Sequence, residues 1–365
     1  MLKFIHAADL HLDSAFAALP AGRAAERRRE SRELVFRLAE YVNAHGVQLV
    51  LLAGDLFDSA TPYRETGEAL AEALGRMNAR VFAAPGNHDW YGPGSPWLTV
   101  DWPENVHIFR ENAMSSVALP ELGVTVHGAA FTAPQQETSL LTGFAPPQDG
   151  SIHLGLLHGE VDPAADRYNP LRREEIAASG LRYLALGHIH KRAEPQVFGK
   201  TLCAWPGCVE GRGFDELGEK GFYEGTADGD GTVSLTFVPF AGRRYEILSV
   251  DVTGKASLRE AVEAALPENT ADSLFRILLT GEAEEDGGSA KALETALSGR
   301  FYSLEVRDHT RVAADVWARA GEDSLRGLFL RELRTRYDAA GDEAAREAVT
   351  RAVRFGLAAL DHREF

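Results

Sequence analysis

The sequence predicts a mixed α/β chain: two β-sheets packed face to face with helices on their outer sides, then a small α/β unit and a helical tail. Three observations predict it. The first 90 residues alternate apolar, β-branched runs with helical stretches in the order β-α-β-α-β. Short polar motifs close three of those runs and two later ones. Past residue 242 the alternation of strand and helix starts afresh.

The elements follow in order. Residues 3–8 are a strand, and 24–45 a helix with Leu34, Val35, Leu38, Ala39 and Val42 on one face. Strand 47–53, helix 66–77 and strand 80–84 complete the opening, which places three loops at carboxyl ends of strands. A β-rich stretch follows (106–109, 116–119, 124–129), then a loop rich in Pro, Gln and Gly over 132–150. Strand 152–157, helix 171–178 and strand 183–186 come next, and 201–204, 220–227 and 232–240 are expected to complete the second sheet. The boundary lies near Ala241-Gly-Arg-Arg244, giving units 1–242, 243–320 and 321–365. The second unit reads as strand 245–252, helix 257–266, strand 274–280, a solvated loop at 281–288, helix 289–298 and strand 301–307. In the tail, Leu325, Leu328, Phe329 and Leu333 form an apolar stripe at helical spacing, and a second stripe runs from Ala345 to Leu360. That hairpin either folds back on its own domain or offers a docking face for a partner helix.

The motifs carry the chemistry. They are Asp9-Leu-His11, Gly54-Asp55-Leu-Phe-Asp58, Gly86-Asn87-His88-Asp89, Leu157-His158-Gly159 and Gly187-His188-Ile-His190. Each supplies Asp, Asn or His and none a thiolate, a donor set that suits Mn²⁺, Fe²⁺ or Zn²⁺. A carboxylate among so many ligands is what two metals need to share a bridge. Extended backbone at 188–190 would turn both histidines to one face. The chain therefore reads as a dinuclear metal hydrolase.

Composition bounds the rest. No apolar run reaches the length of a membrane span, and the N-terminus enters a strand at once with no secretory n-region. Cys203 and Cys208 lack a zinc-ribbon partner pair and read as reduced thiols in a cytoplasmic protein. The net charge of −16 is unusual for a nucleic-acid binder, although bound cations are themselves large local positive charges. The one basic island is Arg23, Arg27, Arg28, Arg29, Arg32 and Arg37, read either as a solvated helix face or as a phosphate-contact patch. His6, His127 and His153 lie in strands and read as core.

The five motifs together resemble those of the calcineurin-like metallophosphoesterases. The opening Phe4-Ile-His-Ala-Ala-Asp-Leu-His-Leu-Asp-Ser14, the stretch from Pro206 to Gly221, and the tail around Gly327 and Arg354 are similar to the SbcD-type DNA repair nucleases, in their YhaO-like branch. The resemblance implies a four-layer metallophosphoesterase sandwich with a C-terminal cap. It implies two divalent metals, Mn²⁺ foremost with Fe²⁺, Zn²⁺ or Mg²⁺ as alternatives. Asp9, His11, Asp55 and His190 would hold one, and Asp55, Asn87, His158 and His188 the other. His88 would serve as proton donor, with Asp58 hydrogen-bonding it to fix its tautomer. Asp13 would stand behind the ligands and Arg212 would meet phosphate; Arg27 and Arg28 of the basic island are further candidate phosphate contacts. The expected activity is hydrolysis of DNA by hydroxide held between the metals, as a 3′–5′ exonuclease with single-strand endonuclease activity left open, in DNA repair. A small-molecule phosphodiesterase or phosphomonoesterase on the same core is the alternative. The expected partners are DNA and an SMC-like coiled-coil ABC ATPase, with a homodimer also open.

Overall fold

The computed structural model describes residues 1–165, 167–255, 257–283, 289–312 and 314–360. The chain divides into two compact units, Met1–Gly242 and Arg243–Phe365. In the first, the elements are β1 (Leu2–Ala7), α1 (Ala21–Ala44), β2 (Leu49–Leu52), α2 (Arg64–Gly75), β3 (Arg80–Ala83), α3 (Pro96–Thr99), β4 (Val106–Ile108), β5 (Ser115–Leu119), β6 (Val124–Gly128) and β7 (Ile152–His158). They continue with β8 (Glu160–Val161), β9 (Pro170–Leu171), α4 (Arg173–Ala178), β10 (Tyr183–Gly187), β11 (Gln196–Phe198), β12 (Thr201–Ala204), β13 (Gly221–Ala227) and β14 (Val233–Pro239).

Two six-stranded sheets form, ordered β14-β13-β1-β2-β3-β4 and β11-β12-β10-β7-β6-β5. Strand parity explains the layers, because successive side chains point to opposite faces. Phe4, Leu49, Leu51 and Phe82 of the first sheet meet Leu154, Leu156, Tyr183 and Ala185 of the second in one buried core. The alternate residues Ile5, Val50, Leu52 and Val81 pack outward on Leu34, Leu38 and Val42 of α1 and Leu70 and Leu74 of α2. Leu157, Leu184 and Leu186 pack outward on Ile176 of α4 and on Leu140 and Leu141 of the 132–150 loop. The result is helix, sheet, sheet, helix.

One expectation fails here. Strands β13 and β14 do not join the second sheet; β13 pairs antiparallel with β1, Leu2 facing Ala227 and His6 facing Tyr223. Only β12, with the short β11, extends the second sheet. Hydrophobic periodicity fixes which face a strand buries but not which neighbour it pairs with, and both sheets share the same core.

His6 is fully buried, its Nδ1 2.6 Å from the Tyr183 hydroxyl and its Nε2 3.1 Å from the Leu186 carbonyl, and burial pushes its pKa down to about 3. His127 and His153 are also buried. Both cysteines are buried free thiols. Among the described residues no helix is long and apolar enough to cross a membrane.

The second unit holds β15 (Tyr245–Asp251), α5 (Leu258–Ala265), β16 (Leu274–Thr280), β17 (Glu282–Ala283), α6 (Ala290–Leu297), β18 (Ser303–Asp308), β19 (Arg311–Val312), α7 (Ala314–Ala318), α8 (Leu325–Asp338) and α9 (Glu343–Leu360). Its three main strands are parallel, in the order β15-β16-β18. The expected loop at 281–288 and the end of the tail fall largely outside the described residues: 284–288 and 361–365. The hairpin folds back on the residues before it: Leu330, Leu333, Val353 and Leu357 close on Val312 of β19 and Val316 and Trp317 of α7 in one core. The buried stripe of α8 thus runs through Gly327, Leu330 and Leu333. Leu325 and Leu328, expected on that stripe, are exposed instead.

The basic island is mostly structural. Arg27 is fully buried; its Nη1 donates to Glu30 at 2.6 Å and to Glu210 at 3.0 Å. Ser31 donates to the same Glu210 at 3.2 Å, so α1 is tied to the 208–212 segment. Arg28 donates to the Ala15 carbonyl at 3.1 Å, Arg32 reaches Asp13 at 3.5 Å, and Arg37 lies over the Phe240 ring. Arg27 cannot meet phosphate from inside the protein; an arginine looks the same in sequence whether it points in or out. Asp13 does not touch a ligand either. Its carboxylate accepts from the Tyr63 amide at 2.9 Å and the Thr66 hydroxyl at 2.7 Å, closing the free N-terminal end of α2.

Removing one partner of a buried ion pair strands the other charge, at a cost of about 3–5 kcal/mol. Arg27→Ala should therefore lose most of that in urea unfolding, whereas Arg28→Ala should change stability by no more than about 0.5 kcal/mol. Equal, small losses in both variants would contradict the buried tie.

Candidate metal centre

Five parallel strands, three from one sheet and two from the other, end at one place. Asp9 and His11 follow β1, Asp55 follows β2, Asn87 and His88 follow β3, His158 ends β7, and His188 and His190 follow β10. Four of these residues, Asp9 (φ 52°), His11 (φ 44°), Asp55 (φ 50°) and His188 (φ 94°), sit in the left-handed region. Such backbone costs roughly 1–3 kcal/mol per residue and persists only where the surroundings enforce it. Here they do. The Asp9 amide donates to the Gly54 carbonyl and the His11 amide to the Asp55 carbonyl, each at 3.0 Å. The His188 amide donates to the Asp9 carboxylate at 3.0 Å, and the His88 amide to Asp55 Oδ1 at 2.9 Å. Asp89, fully buried, accepts from the amides of Gly86 (2.7 Å), Leu56 (2.8 Å) and Asp55 (3.2 Å), stitching the second motif to the third. Gly86 has no room for a side chain, since a Cβ there would lie 2.3 Å from Asp55 Oδ1.

The expected ligand atoms converge in two groups. Asp9, His11, Asp55 and His190 present donors within 4.8 Å of one another, and so do Asp55, His158 and His188. Asn87 Oδ1 joins the second group, 3.0 Å from His158 Nε2 and 3.1 Å from His188 Nδ1. Asp55 is common to both. Extended geometry is not what separates the last two histidines: β10 ends at Gly187, and the positive φ of His188 breaks the strand. The local turn, rather than strand parity, sends His188 to one group and His190 to the other.

The imidazoles are built to receive cations. Each has one nitrogen tied outward to an acceptor, which leaves the other nitrogen's lone pair facing in. His11 Nδ1 meets Asp58 Oδ1 at 3.1 Å, His190 Nδ1 meets Glu216 Oε1 at 2.8 Å, and His158 Nδ1 meets the Ala53 carbonyl at 2.9 Å. His188 is reversed, with Nε2 at 3.2 Å from Glu160 Oε1. The inward Nε2 atoms of His11 and His190 stand 3.0 Å apart, an arrangement a shared cation makes favourable. The donor set therefore fits two oxygen- and nitrogen-liganded divalent ions.

Electrostatics agree. Burial disfavours charge on Asp55, but His158, its hydrogen bond and His11 outweigh this and hold the carboxyl far below its usual range. Burial also disfavours charge on His158, but Asp55 overcomes it and raises the imidazole to about 9. Burial and the neighbouring His158 push His188 down to about 3. Asp55 thus favours a proton on His158 in the metal-free chain, and a cation that needs the neutral imidazole would release it.

Three expected roles are corrected. The Asp58 carboxylate does not orient His88; it accepts from His11, and it is the Asp58 backbone carbonyl that lies 3.0 Å from His88 Nδ1. The side chain of Asp58 turns inward because His11 and Arg212 both offer it donors. Arg212 is not free for phosphate: Nη1 donates to Asp58 at 3.0 Å and Nη2 to Glu216 at 2.6 Å. Arg27 is absent from the site, as described above. His88 lies exposed at the rim, edge-on to His11 with ring centroids 4.9 Å apart. Sequence reasoning missed Glu216, Glu160 and the stitching by Asp89. Glu216 carried a signal, standing four residues after Arg212, and Glu160 stands two after His158.

Comparison with known proteins converges on the same reading. Residues 2–192 match the calcineurin-like phosphoesterase family. The chain is 31% identical over 303 residues to the uncharacterized metallophosphoesterase YhaO of Bacillus subtilis (strain 168), covering 78% of this chain and 73% of that one. It is 24% identical over 277 residues to the DNA double-strand break repair protein Mre11 of Methanopyrus kandleri, covering 70% of this chain and 60% of that one. Among solved structures, TT1561 of Thermus thermophilus aligns over 65% of this chain and 98% of its own, with a TM-score of 0.40 and 10% identity. Family members use dinuclear metal centres to hydrolyse phosphoesters, and the donors gathered around Asp55 are of that kind. This chain belongs to the calcineurin-like phosphoesterase family, in its YhaO-like branch.

Proposed function

We propose that the chain is a manganese-dependent phosphodiesterase that cleaves DNA, as a 3′–5′ exonuclease with single-strand endonuclease activity. The observation that carries the phosphodiesterase chemistry is the convergence of seven side chains into two donor groups that share Asp55. DNA as substrate is supported by the likeness to a protein named for double-strand break repair. It is also supported by a second unit of more than 100 residues, Arg243–Phe365, which a small ester would not need.

Two divalent cations, when bound, supply an activated water near neutral pH and neutralise charge on the phosphoryl oxygens. The chain's own residues do the rest. Asp9, His11 and His190 face Asn87, His158 and His188 across Asp55, and would hold the two cations on either side of it. His88 is exposed beside them, and its Nδ1 is held by the Asp58 carbonyl. Its Nε2 is the atom free to give a proton to the departing sugar oxygen. General-acid assistance of that kind is worth about 10²–10⁴ in rate.

A second reading, a small-molecule phosphodiesterase or phosphomonoesterase, is favoured by one observation. The charge is −16, and Arg27, Arg28, Arg32 and Arg212 are all engaged within the protein. The proposal also includes a partner. Leu325 and Leu328 stand exposed on α8 and would suit the coiled coil of an SMC-like ATPase.

Chelation should abolish hydrolysis and Mn²⁺ should restore it. His88→Ala should keep two metals per chain and lose on the order of 10²–10⁴ of the rate, whereas Asp55→Ala should lose the metals; elemental analysis after desalting reads the difference. Labelled DNA and bis-p-nitrophenyl phosphate, offered side by side with Mn²⁺, decide the substrate. Loss of DNA from its 3′ end supports the nuclease, and dye release with intact DNA would move the assignment to a small ester.

A further inference from the structure

Arg212 and Glu216 lie outside the five ligand motifs, yet they occupy the space directly behind two histidines of one metal group. Arg212 makes four hydrogen bonds to two carboxylates. Its Nη1 donates to Asp58 Oδ1 at 3.0 Å, its Nη2 to Glu216 Oε1 at 2.6 Å, and its Nε and backbone amide to Glu216 Oε2 at 3.3 and 2.8 Å. These are the carboxylates that hold His11 Nδ1 at 3.1 Å and His190 Nδ1 at 2.8 Å. One guanidinium therefore spans the backs of both histidines of the Asp9 group. Its planar fork suits the task in a way a lysine ammonium does not.

The other group has no such brace among the described residues. His158 relies on a backbone carbonyl, and His188 on Glu160, a part-exposed carboxylate. The charges differ in the same direction. The first group counts two carboxylate ligands, Asp9 and Asp55, both buried; the second shares Asp55 and adds the neutral Asn87.

We propose that Arg212 and Glu216 are positioning residues that pre-organise the Asp9–His11–His190 group, so that the two cations bind with unequal affinity and this group fills first. The inference rests on the dinuclear reading above. It assigns Arg212 to the metal rather than to phosphate: the residue acts through His11 and His190. Loss of a group that orients a metal-binding histidine typically lowers metal affinity by about 10–100-fold.

The test is calorimetric titration of metal-free full-length protein with Mn²⁺, alongside steady-state hydrolysis of bis-p-nitrophenyl phosphate. The wild type should show two binding steps. The tighter should vanish in His190→Ala and survive in His188→Ala. Arg212→Lys and Glu216→Gln, both chosen to preserve size and polarity, should weaken that tighter step by about 10–100-fold and leave the looser one in place, with KM for the diester unchanged at saturating Mn²⁺. If both variants keep the tight step and raise KM instead, Arg212 is a phosphate contact and the proposal is overturned. It is equally overturned if the tight step is the one lost in His188→Ala. A wild type that takes up fewer than two Mn²⁺ overturns the dinuclear reading itself, a result distinct from either of these.

Discussion

The metal centre depends on four polar contacts that point away from the metal groups, three of them hydrogen bonds and one a histidine–carboxylate pair. A histidine binds a cation well only when its other nitrogen is occupied, since that fixes both tautomer and ring plane. His11, His158 and His190 each have that second bond, to Asp58, the Ala53 carbonyl and Glu216, and His188 Nε2 lies 3.2 Å from Glu160 Oε1. The His158 bond crosses from one sheet to the end of β2 in the other. The inter-sheet core of Phe4, Leu49, Leu51, Leu154, Leu156 and Tyr183 thus does more than bury apolar area: it sets the spacing at which an imidazole on one sheet can use a carbonyl on the other.

The strain at the site and the ties beyond it follow from the same demand. Turning donors inward from the ends of five strands puts Asp9, His11, Asp55 and His188 into left-handed backbone. The chain holds them there with amide bonds to neighbouring loops and with the buried carboxylate of Asp89. The segment that brings Arg212 and Glu216 into place is anchored in turn by Glu210, through the buried Arg27 of α1. A helix far from His190 in sequence is in this way connected to the orientation of that ligand.

Most of the fold was legible because its signals are local. Apolar periodicity located the strands of both sheets other than the short β11, and the helices α1, α2, α5 and α6, to within a few residues, and the restart after Gly242 coincides with the division into two compact units. What periodicity does not encode is partnership. Strands β13 and β14 read correctly as strands and wrongly as members of the second sheet. The site shows the same division. The ligand positions stood in short motifs at strand ends, so their convergence could be anticipated. The residues behind them could not, because a hydrogen bond between Glu216 and His190, or between Asp58 and His11, depends on loops meeting in space. Arg27 and Arg212 were misread for one reason: each pairs with a carboxylate close in sequence, Glu30 or Glu216, but what draws it inward is a second, remote one, Glu210 for Arg27 and Asp58 for Arg212.

The excess of acidic residues also takes on a physical meaning. Buried Asp9 and Asp55 sit beside the metal groups, Asp58, Glu160 and Glu216 stand behind the histidines, and part of that charge is offset by Arg212 and by the proton that Asp55 favours on His158. Metal and site charge are then one system, and the central claim concerns where the cations sit. Crystals grown with Mn²⁺ and measured for anomalous scattering test it directly. The account predicts two peaks about 3.5–4 Å apart, with an Asp55 oxygen shared between them. Asp9, His11 and His190 should surround one peak, and Asn87, His158 and His188 the other. A single peak, or two peaks that do not share Asp55, would contradict it.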